Sequence, residues 1–282
     1  MSGRDGIVLD MPDEVYHGGP ELSSTGARKL LLAPAVYRHY VEHPQPGKKA
    51  FDVGHVAHAK VLGVGTGVIA YPAEHLTKSG NVSTRAETVE WAAKQRAVGL
   101  APISPDDMAK VDAMAEAILD HPRARAMLEQ QGDAEASVFV TDPATGVRMR
   151  ARFDYLPNAA QSEPWTVDLK TTSKSAHPED FSRTAANYGY HVQQEWYLHA
   201  LGLATGDFSG RMKFIVVETA PPHLVGVYPL AAEYAEIGRD RVKEALETYA
   251  ECTASGVWPG YDLDPDPIQP PTWLMFNEGM IE

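Results

Sequence analysis

Two carboxylates and a lysine stand in this sequence at a spacing that suits hydrolysis of a phosphodiester. The run Trp165-Thr166-Val167-Asp168-Leu169-Lys170-Thr171-Thr172 reads as a short buried strand carrying two charges. Successive side chains of a strand point to opposite faces, so Trp165, Val167 and Leu169 go to one side while Thr166, Asp168 and Lys170 share the other. Upstream, residues 146–154 alternate, with Val147, Met149, Ala151 and Phe153 toward a core and Arg148, Arg150, Arg152 and Asp154 on the opposite face. The intervening segment 157–164, rich in Pro, Asn, Ser and Gln, lets the two strands lie side by side. Asp154 and Asp168 then become hard oxygen donors suited to magnesium, with Lys170 beside them to orient a water or stabilise a phosphorane. An ordinary half-buried strand also turns Asp and Lys outward for no chemical purpose, so the pair alone leaves both readings open.

A wider set of residues narrows the choice. Taken in order, Gly54-x-x-x-His58, Glu135, Asp154, Asp168-Leu169-Lys170 and Gln193-x-x-x-Tyr197 resemble the motifs of the PD-(D/E)XK nucleases, and within them the phage exonuclease VIII (RecE-like) and RecB-like branch. The resemblance runs from about Leu22 to Val217. Each motif is short enough to occur by chance, and the specificity lies in their order and spacing. One departure is Asp168, where the family usually has Glu; it shortens the metal-ligand arm without removing it.

The resemblance implies an α/β fold with a central mixed β-sheet flanked by helices, a restriction-endonuclease-like core with an N-terminal helical part. It implies a magnesium-dependent deoxyribonuclease, an exonuclease on double-stranded DNA ends serving phage-type recombination. Asp154, Asp168 and Lys170 take the catalytic roles in that reading, with Glu135 as an accessory acid. His58, Asp154, Asp168 and the Leu169 carbonyl hold one or two magnesium ions, for which manganese can substitute. Gln193 and Tyr197 steady the DNA strand. A single-strand annealing protein as partner and a homo-oligomeric assembly are implied on the same ground. The alternative is a catalytically inactive DNA-binding or recombination scaffold with the same fold. A helical zinc pair of His55 and His58 ranks lower, because the Glu that H-E-x-x-H zincins need is missing.

Composition sets further bounds. The 282 residues are 44% hydrophobic and 22% charged, enough for one large domain. We expect a single nuclease-like domain over 1–258, with a helical part over about 20–130 and a sheet core over about 135–250. A Pro- and Asp-rich tail over 259–282 is expected to be extended, its apolar end Trp273-Leu274-Met275-Phe276 suited to docking on a neighbouring subunit or partner. No apolar run reaches the roughly 20 residues of a membrane span, and residues 1–5 lack a signal-type apolar stretch, so the expected location is the cytoplasm of a bacterial host cell, with a phage as an admissible source. The single cysteine, Cys252, excludes an internal disulfide and a four-cysteine iron–sulfur cluster. The net charge of −13, from 25 Lys+Arg against 38 Asp+Glu, argues against a nucleic-acid enzyme. Global charge is not local field, however. The Arg148, Arg150 and Arg152 row reads either as a phosphate-tracking DNA surface or as an edge strand protected by charge.

Caps, breakers and periodicity predict the elements that position these residues. Ser23 or Ser24 caps a helix that Pro34 breaks or kinks. Residues 51–62 form a second helix with His55 and His58 one turn apart, His58 being either a ligand or a packed core residue. Residues 63–82 read as a glycine-rich mobile loop bordering the site. Helices follow over 84–98, from the Ser104 cap to about 119, and over 122–130. Strands over 135–141 and 147–155 are joined by Asp142-Pro143-Ala144-Thr145-Gly146, with Glu135 at the mouth of the hairpin as an accessory acid or a surface residue. Helices over 177–186 and 191–203 are separated by Asn187-Tyr188-Gly189-Tyr190, and Gln193 and Tyr197 share a face, Tyr197 being otherwise a core residue. Strands over 211–219 and 224–230 and a helix over 231–249 complete the sheet and cover it.

Overall fold

Local signals start most of the elements in the computed structural model, which describes residues 5–43, 53–64, 67–158, 164–261, 267 and 269–277. The strand β1 (Gly6–Val8) and the short helix α1 (Asp13–His17) lead to β2 (Leu22–Ser23). Ser23 caps α2 (Ser24–Leu30), its Oγ accepting from the Gly26 amide at 3.2 Å, and satisfies a donor the helix leaves unpaired. Pro34 opens α3 (Pro34–Glu42) rather than kinking α2, because a first-turn proline gives up an N–H that has no helical partner anyway. Next come α4 (Val53–Leu62), β3 (Gly67–Ala70), α5 (Ala86–Ala97) and β4 (Leu100–Ile103). Ser104 caps α6 (Pro105–Asp120) through the Asp107 amide at 3.0 Å, and α7 (Pro122–Leu128) follows.

The sheet begins with β5 (Gly132–Thr141) and β6 (Arg148–Pro157), then β7 (Trp165–Thr172). Asp142 closes the β5–β6 hairpin: its Oδ2 accepts from the Thr145 amide at 2.9 Å and its carbonyl from Gly146, which sits at φ +72°. Helices α8 (Pro178–Tyr188) and α9 (Tyr190–Thr205) are separated by Gly189 alone, and β8 (Arg211–Glu218), β9 (Val225–Tyr228), α10 (Ala232–Ser255) and α11 (Thr272–Asn277) complete the chain. The sheet order is β1-β5-β6-β7-β8-β9, with β2 parallel to β6 at Met149 and Arg150. The β7–β8 pair is parallel and the others along the path are antiparallel. The fold is therefore a mixed sheet flanked by helices on both faces. On one face Val138, Ala151, Phe153 and Phe214 pack with Ala27 of α2, Trp196 of α9 and Leu246 of α10. On the other, Val167, Leu169, Ile215 and Val217 pack with Val56 of α4, Met114 and Ile118 of α6 and Ala124 of α7. Among the described residues no helix is long and apolar enough to cross a membrane.

Three expectations are corrected. The segment expected to be a mobile loop contains β3, paired in parallel with β4 from Gly67↔Leu100 to Ala70↔Ile103; the partner lies far along the chain, so no local pattern discloses the pairing. The expected extended tail carries α11, where Trp273-Leu274-Met275-Phe276 follow Pro270-Pro271 with no breaker among them; residues 262–266, 268 and 278–282 lie outside the described residues. The third correction concerns the arginine row.

That row is the seat of the N-terminal segment rather than an open phosphate surface. Arg152 is only 7% exposed. It donates from Nε to Ser137 Oγ at 2.9 Å and from Nη2 to the Met11 carbonyl at 2.9 Å, pairs with Asp13 at 2.5 Å, and lies 4.1 Å from the Tyr16 ring centroid. Arg150 Nη1 donates to the carbonyls of Tyr16 at 2.5 Å and Gly19 at 2.8 Å. Arg148 pairs with Asp5 and donates to Thr141 Oγ1. A strand that looks charged and solvated in sequence is thus covered by residues 5–19. Removing a buried, multiply bonded guanidinium leaves its acceptors unsatisfied. Arg152→Met is therefore expected to lower unfolding free energy by about 2–4 kcal/mol, whereas Arg148→Gln should change it by less than about 1 kcal/mol. Urea denaturation checks both, and an undiminished Arg152→Met midpoint would return the row to open surface.

Candidate active site in the fork between two strands

β6 and β7 pair only at Tyr155↔Val167 among the described residues. One step beyond that pair the register puts Asp154 across from Asp168, and there the strands part. Upstream, the edge of β6 is taken by β2 at Met149 and Arg150. The fork opens where the alternation of β6 breaks: Phe153 packs in the core beneath α9, while Tyr155 packs with Val167 on the other face. Asp154, between them, is thereby turned into the fork. Its Oδ2 accepts the Leu169 amide of β7 at 2.6 Å, substituting for a ladder bond that the parted strands no longer make. Glu135 faces Asp154 across the hairpin, between Ala134↔Tyr155 and Ala136↔Phe153, and has φ +52°. A left-handed conformation for a non-glycine residue inside a strand costs energy and clusters at functional sites.

On β7, Asp168 and Lys170 point toward α9, as the alternation predicts. Asp168 is 2% exposed. Its Oδ1 accepts from Gln193 Nε2 at 2.6 Å and its Oδ2 lies 2.5 Å from Lys170 Nζ. Lys170 also donates to Gln193 Oε1 at 3.1 Å, closing a three-residue ring, and its ammonium stands 4.7 Å from the Tyr190 ring centroid. His58 of α4 approaches from the opposite helix layer, its Nδ1 3.5 Å from Asp154 Oδ2. Tyr197 is half-buried against Phe153, edge-on at 5.2 Å.

The fork thus gathers Asp154, Asp168, Leu169, Lys170, Gln193, His58 and Glu135, puts Tyr197 at the edge of the core, and leaves Arg148, Arg150 and Arg152 in the N-terminal seat. His55 has no described side chain. Sequence reading missed Tyr190, visible only as part of a helix breaker, and Phe214, which looked like any core strand residue. Both surround the lysine.

The charges are unequal. Burial, then the charge of Asp168 and to a lesser degree that of Glu135, pushes the Asp154 carboxyl well above the ordinary carboxylate range, against the pull of Lys170 and the Leu169 amide. For Lys170 burial opposes the charge, but Asp168 and Asp154 outweigh it and raise the ammonium above its usual value. Burial, with Tyr16, Asp168 and Asp154 adding to it, likewise raises the Tyr197 hydroxyl. The site holds an ammonium between two carboxylates, one of which resists ionisation.

Such a site has the donors for a hard cation. Among the described residues no group of three or more His, Cys, Asp and Glu side chains is arranged as a ready cage, but magnesium is typically held by one or two carboxylates, with water filling the other positions. Asp168 Oδ2 is buried without an aligned hydrogen bond, despite its close ion pair with Lys170, and so retains a lone pair for a ligand. Asp154, Asp168 and the Leu169 carbonyl fit a divalent ion on that chemistry.

A mixed sheet whose forked central strands carry Asp154 and Asp168-Leu169-Lys170, covered by helices on both faces, is the core of a PD-(D/E)XK nuclease. The chain belongs to the family described as PDDEXK-like domain of unknown function (DUF3799), whose model matches residues 35–263. A crystal structure from Eubacterium rectale, of a protein named a candidate exonuclease, shares the fold at a TM-score of 0.59 and 10% identity, over 97% of this chain and 100% of that one. Two further structures overlap much less: SSO0001 (TM-score 0.26, 13% identity, 67% of this chain and 85% of that one) and Rai1 of Scheffersomyces stipitis with 3'-NADP and calcium (0.27, 10%, 92% and 77%). No curated protein matches the sequence. PD-(D/E)XK nucleases generally use divalent metals.

The raised Asp154 carboxyl has a consequence for stability. Its folded-state pKa lies above the unfolded value of about 3.9, so its contribution is fully present below the unfolded pKa and is lost as pH rises through the folded one. Asp154→Asn should therefore melt about 2–4 °C above the wild type at pH 8 without divalent ions, and the gap should close toward pH 4. Paired thermal melts across that range check the sign; a gap that widens on acidification contradicts it.

Proposed function

We propose that this protein is a divalent-metal-dependent deoxyribonuclease, an exonuclease acting on double-stranded DNA ends in phage-type recombination. The observation that carries the reading is the Lys170–Asp168–Gln193 ring beside Asp154 in the fork. Asp154, Asp168, the Leu169 carbonyl and His58 are the groups to hold magnesium, or manganese in its place. The ion supplies Lewis-acid stabilisation of the phosphate and lowers the pKa of water at the site. Lys170 stays protonated, directs a water toward phosphorus and balances negative charge as it develops. Gln193, bonded to both Lys170 and Asp168, holds the ammonium in place, and together with Tyr197 it steadies the DNA strand. Glu135 acts as an accessory acid by raising the proton affinity of Asp154. Action at an end agrees with the acidic chain and with the occupied arginine row, since few cations are left to track a long duplex. The Eubacterium rectale neighbour's name is in keeping with it. Residues 1–258 work as one nuclease domain in this reading. A homo-oligomer, a single-strand annealing partner and a cytoplasmic location follow from the resemblance to the exonuclease VIII branch.

Lys170→Ala should lower degradation of linear duplex DNA by at least about a hundredfold while leaving calcium affinity, read by calorimetry, within a fewfold of wild type. Asp168→Ala should abolish both. Because Asp154 must lose its proton to bind an ion, calcium affinity of the wild type should keep rising with pH above the ordinary carboxylate range. A wild type that leaves linear DNA intact with magnesium or manganese overturns the enzyme reading in favour of an inert scaffold.

A further inference from the structure

Three aromatic rings form a near-parallel stack that ends at the surface. Phe214 of β8 stacks on Tyr190 with centroids 5.7 Å apart and planes 17° apart, and Tyr190 stacks on Tyr188 at 5.9 Å and 20°. Phe214 is fully buried, Tyr190 is half-buried and Tyr188 is 58% exposed. Tyr190 is also the ring beneath the Lys170 ammonium. The stack therefore leads from the lysine of the fork outward to a free ring.

The outer ring is held in place. Gly189, at φ +66°, makes the turn between α8 and α9 that lets its two tyrosine neighbours stack. A side chain at this position would meet Arg28 Cδ at 2.9 Å, so the turn requires glycine for space as well as conformation. Arg28 of α2 fastens the turn, donating from Nη1 to the Tyr188 carbonyl at 2.5 Å and from Nη2 to Thr25 Oγ1 at 3.2 Å. A lone exposed tyrosine needs no explanation, but one pinned by an arginine and stacked in register with the reactive lysine is already ordered for another flat ring.

We propose that Tyr188 is a stacking platform for an unpaired nucleobase of the DNA, next to the scissile phosphate at the fork. The proposal rests on the nuclease reading and adds the substrate form: an end with at least one unpaired nucleotide. Every base offers a π-face, so the contact is tolerant of sequence. It is also insensitive to salt, unlike phosphate contacts, and it compensates in an acidic chain for the arginines engaged with the N-terminal segment. Between Lys170 and Tyr188 lie one cation–π contact of 4.7 Å and one stacking step of 5.9 Å, a distance that roughly one to three nucleotides cover.

The test uses the full chain with calcium and a duplex bearing 2-aminopurine in a short single-stranded overhang. Wild type should quench the fluorophore on binding. Tyr188→Ala should lose the quench and bind about tenfold more weakly, while Tyr188→Trp should keep both. With magnesium, KM for the overhang substrate should rise in Tyr188→Ala with little change in kcat, and a fully paired blunt duplex should show a much smaller effect. Unchanged thermal melts show that the exposed substitution leaves the fold intact. Wild-type quench and affinity retained in Tyr188→Ala overturn the platform, as does an equal loss for blunt and overhanging ends. Altered self-association with unchanged DNA binding would also overturn it and assign the ring to a protein interface. If wild type cleaves DNA and Tyr188→Ala matches it, the platform alone fails; if wild type cleaves no DNA at all, the nuclease reading fails.

Discussion

The parting of β6 and β7 after a single pair is the constraint on which the rest depends. A sheet that continued past Tyr155↔Val167 would satisfy its backbone groups within the ladder and leave Asp154 and Asp168 as ordinary cross-strand neighbours. Because the strands separate, the Leu169 amide needs another acceptor, and the Asp154 carboxylate provides it at 2.6 Å. Every other feature of the site adapts to that fork. β2 occupies the edge that β7 leaves, Glu135 takes a left-handed backbone opposite the break, and α4 and α9 close over the two sides with His58 and Gln193.

Burying an ammonium between two carboxylates is costly unless each polar atom finds a partner. Gln193 makes the arrangement tenable, because an amide both donates and accepts and so serves Asp168 and Lys170 at once. Tyr190 adds its ring face to the lysine. What remains unresolved within the chain is the Asp154 carboxyl, which resists ionisation first because it is buried and then because Asp168 repels it. A divalent cation answers that imbalance directly, so the same electrostatics that strain the bare fold favour an ion in it.

The arginine row shows why a chemically suggestive face needs its surroundings. Three arginines alternating with Met149 and Ala151 on one strand have the periodicity of a basic surface, yet they anchor residues 5–19 through backbone carbonyls, Asp13 and the face of Tyr16. Guanidinium is suited to both uses, since a planar fork of donors matches carbonyl clusters as readily as phosphates. Neither the charge nor the spacing distinguishes them.

By itself the sequence determined the order of elements from β5 to α10, most helix starts and the residues that the fork gathers. Ser104 declared its cap and Ser23 or Ser24 the other, Asp142 to Gly146 declared the hairpin, and the order of Asp154, Asp168-Leu169-Lys170 and Gln193-x-x-x-Tyr197 declared the class, because caps, turns and motifs are short-range properties of a few neighbouring residues. Tertiary structure alone decided the β3–β4 pair, the burial of the arginine row, the break of alternation at Asp154 and the aromatic stack from Phe214 to Tyr188. Each of these joins segments distant in the chain, so its energy is absent from any local window and arises only when the sheet brings the partners together.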